Sequence, residues 1–140
     1  MANQMTGHCL CGNVTYEIQT EPFAQAICHC RDCQRQTGTA FSIVLGVPKA
    51  AFTVEGDTLS SVETTGEVHG TPTRRHFCSA CGSPIFSAVE AQPDVVYVKA
   101  GTLDDASWLT PNAEVFTRSK LPWAPHLENS ARFETLPPAA

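Results

Sequence analysis

The chain predicts a mainly β, single-domain protein, and three observations carry that expectation. Short segments rich in β-branched and aromatic residues recur between Gly, Pro or Asp. Helix signals are scarce. Ten prolines and nine glycines break the 140 residues into pieces too short for long helices.

Each element follows from its local pattern. Residues 13–19 (NVTYEIQ), 41–47 (FSIVLGV), 52–54, 59–64 and 95–99 (VVYVK) read as strands. Residues 73–77 and 84–88 flank a cysteine pair as the arms of a hairpin would, and 113–117 reads as a late strand. A short helix is expected over 31–37, stopped by Gly38, and a single turn over 104–108 behind an Asp cap. One domain spans 1–140, its core about 7–123, with 134–140 expected to fray.

The formal charge of -5 argues against a nucleic acid as the main ligand, and no window is apolar enough for a membrane span. The N-terminal stretch has no basic n-region or apolar h-region, so the expected location is cytoplasmic. Charge placement is more telling than its total. Six of the nine basic residues, Arg31, Arg35, Arg74, Arg75, Arg118 and Lys120, lie in short clusters, two of them beside cysteine motifs. A locally basic pocket on an acidic protein follows.

Seven cysteines are an odd number, which weakens a fully paired disulfide scaffold and favours reduced, functional thiols. They form three groups: Cys9-Leu10-Cys11-Gly12, Cys28-His29-Cys30-Arg31-Asp32-Cys33 and Cys78-Ser79-Ala80-Cys81-Gly82. The outer pairs, each followed by Gly, supply the four ligands of a closed structural Zn²⁺ site, Cys9, Cys11, Cys78 and Cys81, contributing folding energy on the order of 10 kcal/mol. The middle group supplies three. Three ligands with an open fourth position describe a catalytic zinc, unless His29, Asp32, His76 or another protein group closes it into a second structural site. A zinc deaminase lacks its H-x-E glutamate here, and a thiol peroxidase lacks a cysteine outside the metal groups.

The ordered motifs G-x-C-x-C-G (7–12), C-H-C-x-x-C-Q-R-x-T-G (28–38), F-C-x-x-C-G-S-P-I-F (77–86), G-T-L-D-D (101–105) and S-K-L-P-W (119–123) resemble the glutathione-dependent formaldehyde-activating enzyme family, shared with the centromere protein V domain. The resemblance implies a β-tent fold tied by structural zinc, similar to that of the Rab-binding protein mammalian suppressor of sec four. It implies a structural zinc on Cys9, Cys11, Cys78 and Cys81 and a catalytic zinc on Cys28, Cys30 and Cys33. The implied activity is that of a carbon-sulfur lyase forming or cleaving S-(hydroxymethyl)glutathione in formaldehyde detoxification, with glutathione as co-substrate.

Three thiolates and a vacancy suit that chemistry, since coordination deprotonates a thiol and holds it beside an aldehyde. His29 or His76 is a candidate proton donor. Arg31, Arg35 and Lys120 are candidates for the carboxylates of glutathione, with Trp123, Phe41 and Phe86 as candidate walls. The expected partner is a small thiol or aldehyde adduct, with neither nucleic acid nor membrane involved. The alternative is a non-catalytic, zinc-stabilised protein-binding module, in which a protein side chain would complete the middle site.

Overall fold

The computed structural model describes residues 4–66 and 72–137. The strands among them are β1 Met5–His8, β2 Thr15–Ile18, β3 Ala24–Cys28, β4 Ser42–Pro48, β5 Phe52–Glu55, β6 Leu59–Thr64, β7 Thr73–Cys78, β8 Pro84–Val89, β9 Val95–Lys99, β10 Ala113–Val115 and β11 Ala131–Arg132. Among the described residues one α-helix, α1, spans Arg31–Thr37. The mainly β expectation therefore holds. No described helix is long and apolar enough to cross a membrane.

The strands form two sheets, a small one ordered β1-β2-β5 and a large one ordered β11-β10-β3-β4-β9-β8-β7-β6. Pairing is antiparallel except where β10 lies parallel to both β3 and β11. The main core fills between the sheets. Ile18, Val14 and Tyr16 of the small sheet's hairpin pack with Leu45, Val47, Ile85, Val96 and Val98 of the large one, all essentially sealed from water. Gly7 permits a close crossing in β1, because a Cβ there would lie 2.2 Å from the Tyr16 ring.

Strands β1 and β3 escape the sequence pattern. MTGH carries a Gly and a His, and AQAIC has small residues where β-branched ones are expected, so neither shows the usual composition. Residues 104–108 do not form the expected helical turn. The Asp105 carboxylate instead accepts from the Ser107 amide at 3.0 Å, an Asx turn that diverts the backbone from the helix.

The tail also differs from expectation. Glu134 and Thr135 carbonyls accept from the Arg118 and Phe116 amides at 3.3 and 2.9 Å, and Leu136 packs on a second apolar cluster. Residues 134–136 are therefore docked rather than frayed. Of the rest of the expected tail, Pro137 is exposed and 138–140 lie outside the described residues.

Candidate metal centres and the cleft beside them

The outer cysteines sit on two similar knuckles. The first, between β1 and β2, is closed by the Gly12 amide on the Cys9 carbonyl at 3.0 Å; the second, between β7 and β8, by Gly82 on Cys78 at 2.7 Å. Gly12 and Gly82 have φ of 84° and 83°, a left-handed conformation that admits glycine without strain. The knuckles meet across the two sheets. Cys9 and Cys11 sulfurs are 3.6 Å apart, Cys11 and Cys78 3.7 Å, and all four lie within 4.8 Å of one another.

Zn–S bonds of about 2.3 Å put the sulfurs of a tetrahedral site about 3.8 Å apart, so this set fits a four-thiolate zinc. Its surroundings are arranged for sulfur anions. The Val14 amide donates to Cys9 Sγ at 3.3 Å, while the hydroxyls of Thr58 and Ser83 lie 3.2 and 3.3 Å from Cys78 and Cys81. The Ser83 hydroxyl and amide bring the Cys81 thiol down to about 5.

The middle triplet is built at the other end of β3. Cys28 ends that strand, Cys30 caps α1, and Cys33 lies on its first turn, its amide donating to Cys30 Sγ at 3.2 Å. Gly38 ends the helix at φ 67° as expected, returning its amide to the Gln34 carbonyl at 2.8 Å. The three sulfurs are buried within 4.8 Å of one another. Among the described residues no fourth His, Cys, Asp or Glu joins them.

His29, Asp32 and His76 are therefore not fourth ligands in this arrangement. His76 stacks on Phe86 at 4.1 Å and belongs to the β7–β8 surface. Phe86 is core, and the Phe41 ring packs edge-on against His29. His29 is wholly buried with Nε2 2.8 Å from Glu114 Oε1, which ties it to β10 and leaves Nδ1 without a partner. This disfavours a role for His29 as proton donor. A proton shuttle exchanges with solvent, and this ring is sealed at 0% exposure.

Two cations outside the cysteine motifs lie beside the triplet. Arg75, only 6% exposed, places Nη1 3.6 Å from Cys33 Sγ and 3.4 Å from Gln36 Oε1, with Nε on Thr64. Lys99, equally buried, donates to Ser42 Oγ at 2.8 Å, and Ser42 is the register partner of Cys28. Contacts from Cys28 and Cys30 together with the charges of Lys99 and Arg75 pull the Cys33 thiol far below its ordinary value. Burial opposes the Arg75 charge, but Cys33, Cys30 and Asp32 together more than offset it and the guanidinium is raised above its usual range. Lys99 ends an apolar strand, VVYVK, so its sequence context gives no hint of this position; the register of β4 with β9 creates it.

Three of the four expected glutathione contacts share one cleft. Arg31, Gln34, Arg35, Gly38, Thr39, Ala40, Leu121 and Trp123 line a volume of about 440 Å³ along α1, the helix that carries Cys33. Trp123 is 73% exposed there, a large apolar surface with no core role. Lys120 does not line the cleft. Its ammonium is spent on the carbonyls of Leu121 and Ala124, so it stabilises the 120–124 loop instead.

Comparison with known proteins agrees with this architecture. The family model for the glutathione-dependent formaldehyde-activating enzyme matches residues 4–119. Two relatives that carry this enzyme name provisionally are from Podospora anserina, 27% identical over 118 residues (79% of this chain, 53% of that one), and Halomonas elongata, 28% over 104 residues (71% and 66%). The chain thus spans between half and two thirds of their length. A Rhodobacter sphaeroides crystal structure shares the fold at TM-score 0.58 and 22% identity, covering 76% of this chain and 92% of its own. Taken with the three cysteine groups, the match across residues 4–119 shows that the chain belongs to the glutathione-dependent formaldehyde-activating enzyme family.

Proposed function

We propose that this protein is a zinc-dependent carbon-sulfur lyase that forms or cleaves a glutathione-aldehyde adduct such as S-(hydroxymethyl)glutathione. The observation that carries the reading is the placement of a three-sulfur cluster, with no fourth ligand among the described residues, at the start of the short helix that lines an arginine-bearing cleft. Cys9, Cys11, Cys78 and Cys81 would hold a structural zinc, and Cys28, Cys30 and Cys33 a catalytic one. The family match and its provisionally named relatives support the substrate class.

Zn²⁺ bound at the triplet supplies an electrophilic position that lowers the pKa of an incoming thiol. The chain's own residues do the rest. Arg31 and Arg35 receive the carboxylates of the tripeptide, Trp123 covers its backbone, and the burial of Cys28, Cys30 and Cys33 keeps the reacting sulfur from bulk water. In the forward direction the thiol sulfur bonds to the aldehyde carbon and the carbonyl oxygen takes up one proton, matching the one the thiol gives up to solvent. Cleavage reverses both steps.

NMR exchange spectroscopy on glutathione, formaldehyde and their adduct tests this. The metal-loaded protein is expected to accelerate exchange well above the uncatalysed rate, and to do so for glutathione more than for 2-mercaptoethanol. Exchange at the uncatalysed rate with both metals bound would overturn the reading.

A further inference from the structure

The two buried cations point to the charge of the ligand that the triplet takes. Arg75 and Lys99 are each about 6% exposed, and among the described residues neither forms an ion pair with a carboxylate. Asp32, half-buried, acts on Arg75 only from beyond ion-pair distance. Cations are costly to bury without an anion nearby, and here the anions are the cysteine sulfurs. Arg75 touches Cys33 directly, and Lys99 reaches the Cys28 end through Ser42.

The charge count then decides the matter. Three thiolates around a divalent metal leave one net negative charge, which by itself repels a further anion. Arg75 and Lys99 reverse it to one net positive charge. A neutral ligand at the fourth position leaves that charge uncompensated in the interior, whereas a thiolate cancels it.

We propose that Arg75 and Lys99 are positioning residues that make the triplet select an anionic sulfur ligand over a neutral one. This rests on the reading of the triplet as an open metal site. The two cations come from different strands, Arg75 from β7 and Lys99 from β9, so the preference is built into the large sheet rather than into the cysteine loop. On binding, the thiol releases its proton to solvent and its sulfur enters as thiolate; no bond to carbon forms at this stage. The cleft along α1 would recognise the rest of the molecule independently of this charge.

The test uses the full chain with Co²⁺ in place of zinc, reading the change in sulfur-to-metal charge-transfer absorption as ligand is added. The probes are glutathione, hydrosulfide and S-methylglutathione, the last lacking an ionisable thiol. Glutathione and hydrosulfide are expected to raise the band in the wild type, with glutathione releasing one proton. Lys99→Gln, which keeps a donor for Ser42 without the charge, should weaken both by at least about tenfold, and Lys99→Arg should restore them. Arg75→Gln gives the same reading should the Lys99 variant fail to fold.

Equal thiolate affinity in the wild type, Lys99→Gln and Arg75→Gln would overturn the proposal. So would a wild-type triplet that binds Co²⁺ but gives no new band with either anion. If hydrosulfide gives the charge-dependent band and glutathione does not, the proposal stands and the glutathione reading falls. If the band is charge-dependent for both but exchange with formaldehyde is not accelerated, the proposal stands and the lyase reading falls.

Discussion

Glu114 offers a test of how the fold supports the triplet, because its carboxylate gathers groups from both sides. One oxygen takes His29 Nε2 at 2.8 Å; the other takes the Leu127 amide at 3.1 Å, Ser130 Oγ at 3.1 Å, and Arg132 Nε and His126 Nδ1 at 3.3 Å each. The side chain is fully buried. Burial alone would raise its pKa, but the donors, led by His29, overcome this and hold it at about 2 against an ordinary value of 4.5. At 1.36 kcal/mol per unit, the difference stabilises the folded state by about 3 kcal/mol.

The sign follows from the depressed pKa: the contribution is complete above pH 5, falls to less than half by pH 3 and is nearly gone at pH 2. Replacing Glu114 with Gln should therefore cost about 3 kcal/mol at pH 7, or roughly 10 °C in Tm. Urea denaturation of wild type and variant at matched pH values measures the gap, and because acid releases metal from both chains, their difference isolates the carboxylate. Equal stability at pH 7, or a gap that stays constant down to pH 3, would refute the reasoning.

Further outcomes follow from the same geometry. Cys78→Ser should lower bound zinc and cost a large share of the roughly 10 kcal/mol a structural site supplies, whereas Cys28→Ser should lose one metal yet keep a cooperative melt; elemental analysis and calorimetry separate the two. On the proposed reading, in which they bind the tripeptide rather than the reacting atoms, Arg31→Ala and Arg35→Ala should each raise KM for the glutathione adduct about 5- to 20-fold with kcat within about twofold. Gln34 donates to the carbonyls of His29 and Ser119 at 2.7 and 3.0 Å, so Gln34→Ala should destabilise the chain by about 1–3 kcal/mol in urea melts. In the metal-free chain Cys81, brought down to about 5, should alkylate with iodoacetamide at pH 7 ahead of Cys11, which is pushed up to about 11. Peptide mass spectrometry reads the order.

The parts legible in the sequence were those set by local chemistry. Cysteine spacing with a following Gly marks both knuckles, and Gly38 marks the end of α1 because a left-handed residue is needed there. Arg31, Arg35 and Trp123 could be tied to the cleft because they lie beside the cysteine triplet or in the late Lys-x-x-Trp motif. Arg75 was visible only as a member of a basic cluster, and Lys99, Ser42 and Glu114 were not singled out at all. Their roles come from strand register: Ser42 opposite Cys28, Lys99 opposite Val44, Glu114 opposite Ile27. Register is a tertiary outcome, and a polar residue at the end of an apolar strand reads the same whether it meets solvent or a buried anion. The docked tail was missed for a similar reason, since Phe133 and Leu136 acquire their apolar surface only once Cys28, Val115 and Phe116 are assembled.

The spacing of the two cysteine sets also orders their assembly as the chain is made. Cys28, Cys30 and Cys33 complete their set within a single turn, whereas Cys11 must wait 67 positions for Cys78. During synthesis five thiols are therefore present before the second knuckle arrives, and Cys9 and Cys11 could share an early metal with the triplet. Such a mixed site would bridge the two sheets in the wrong place and have to be undone. The cap that Cys30 provides for α1 works against this, committing the triplet to its own helix and leaving the first knuckle to its later partner.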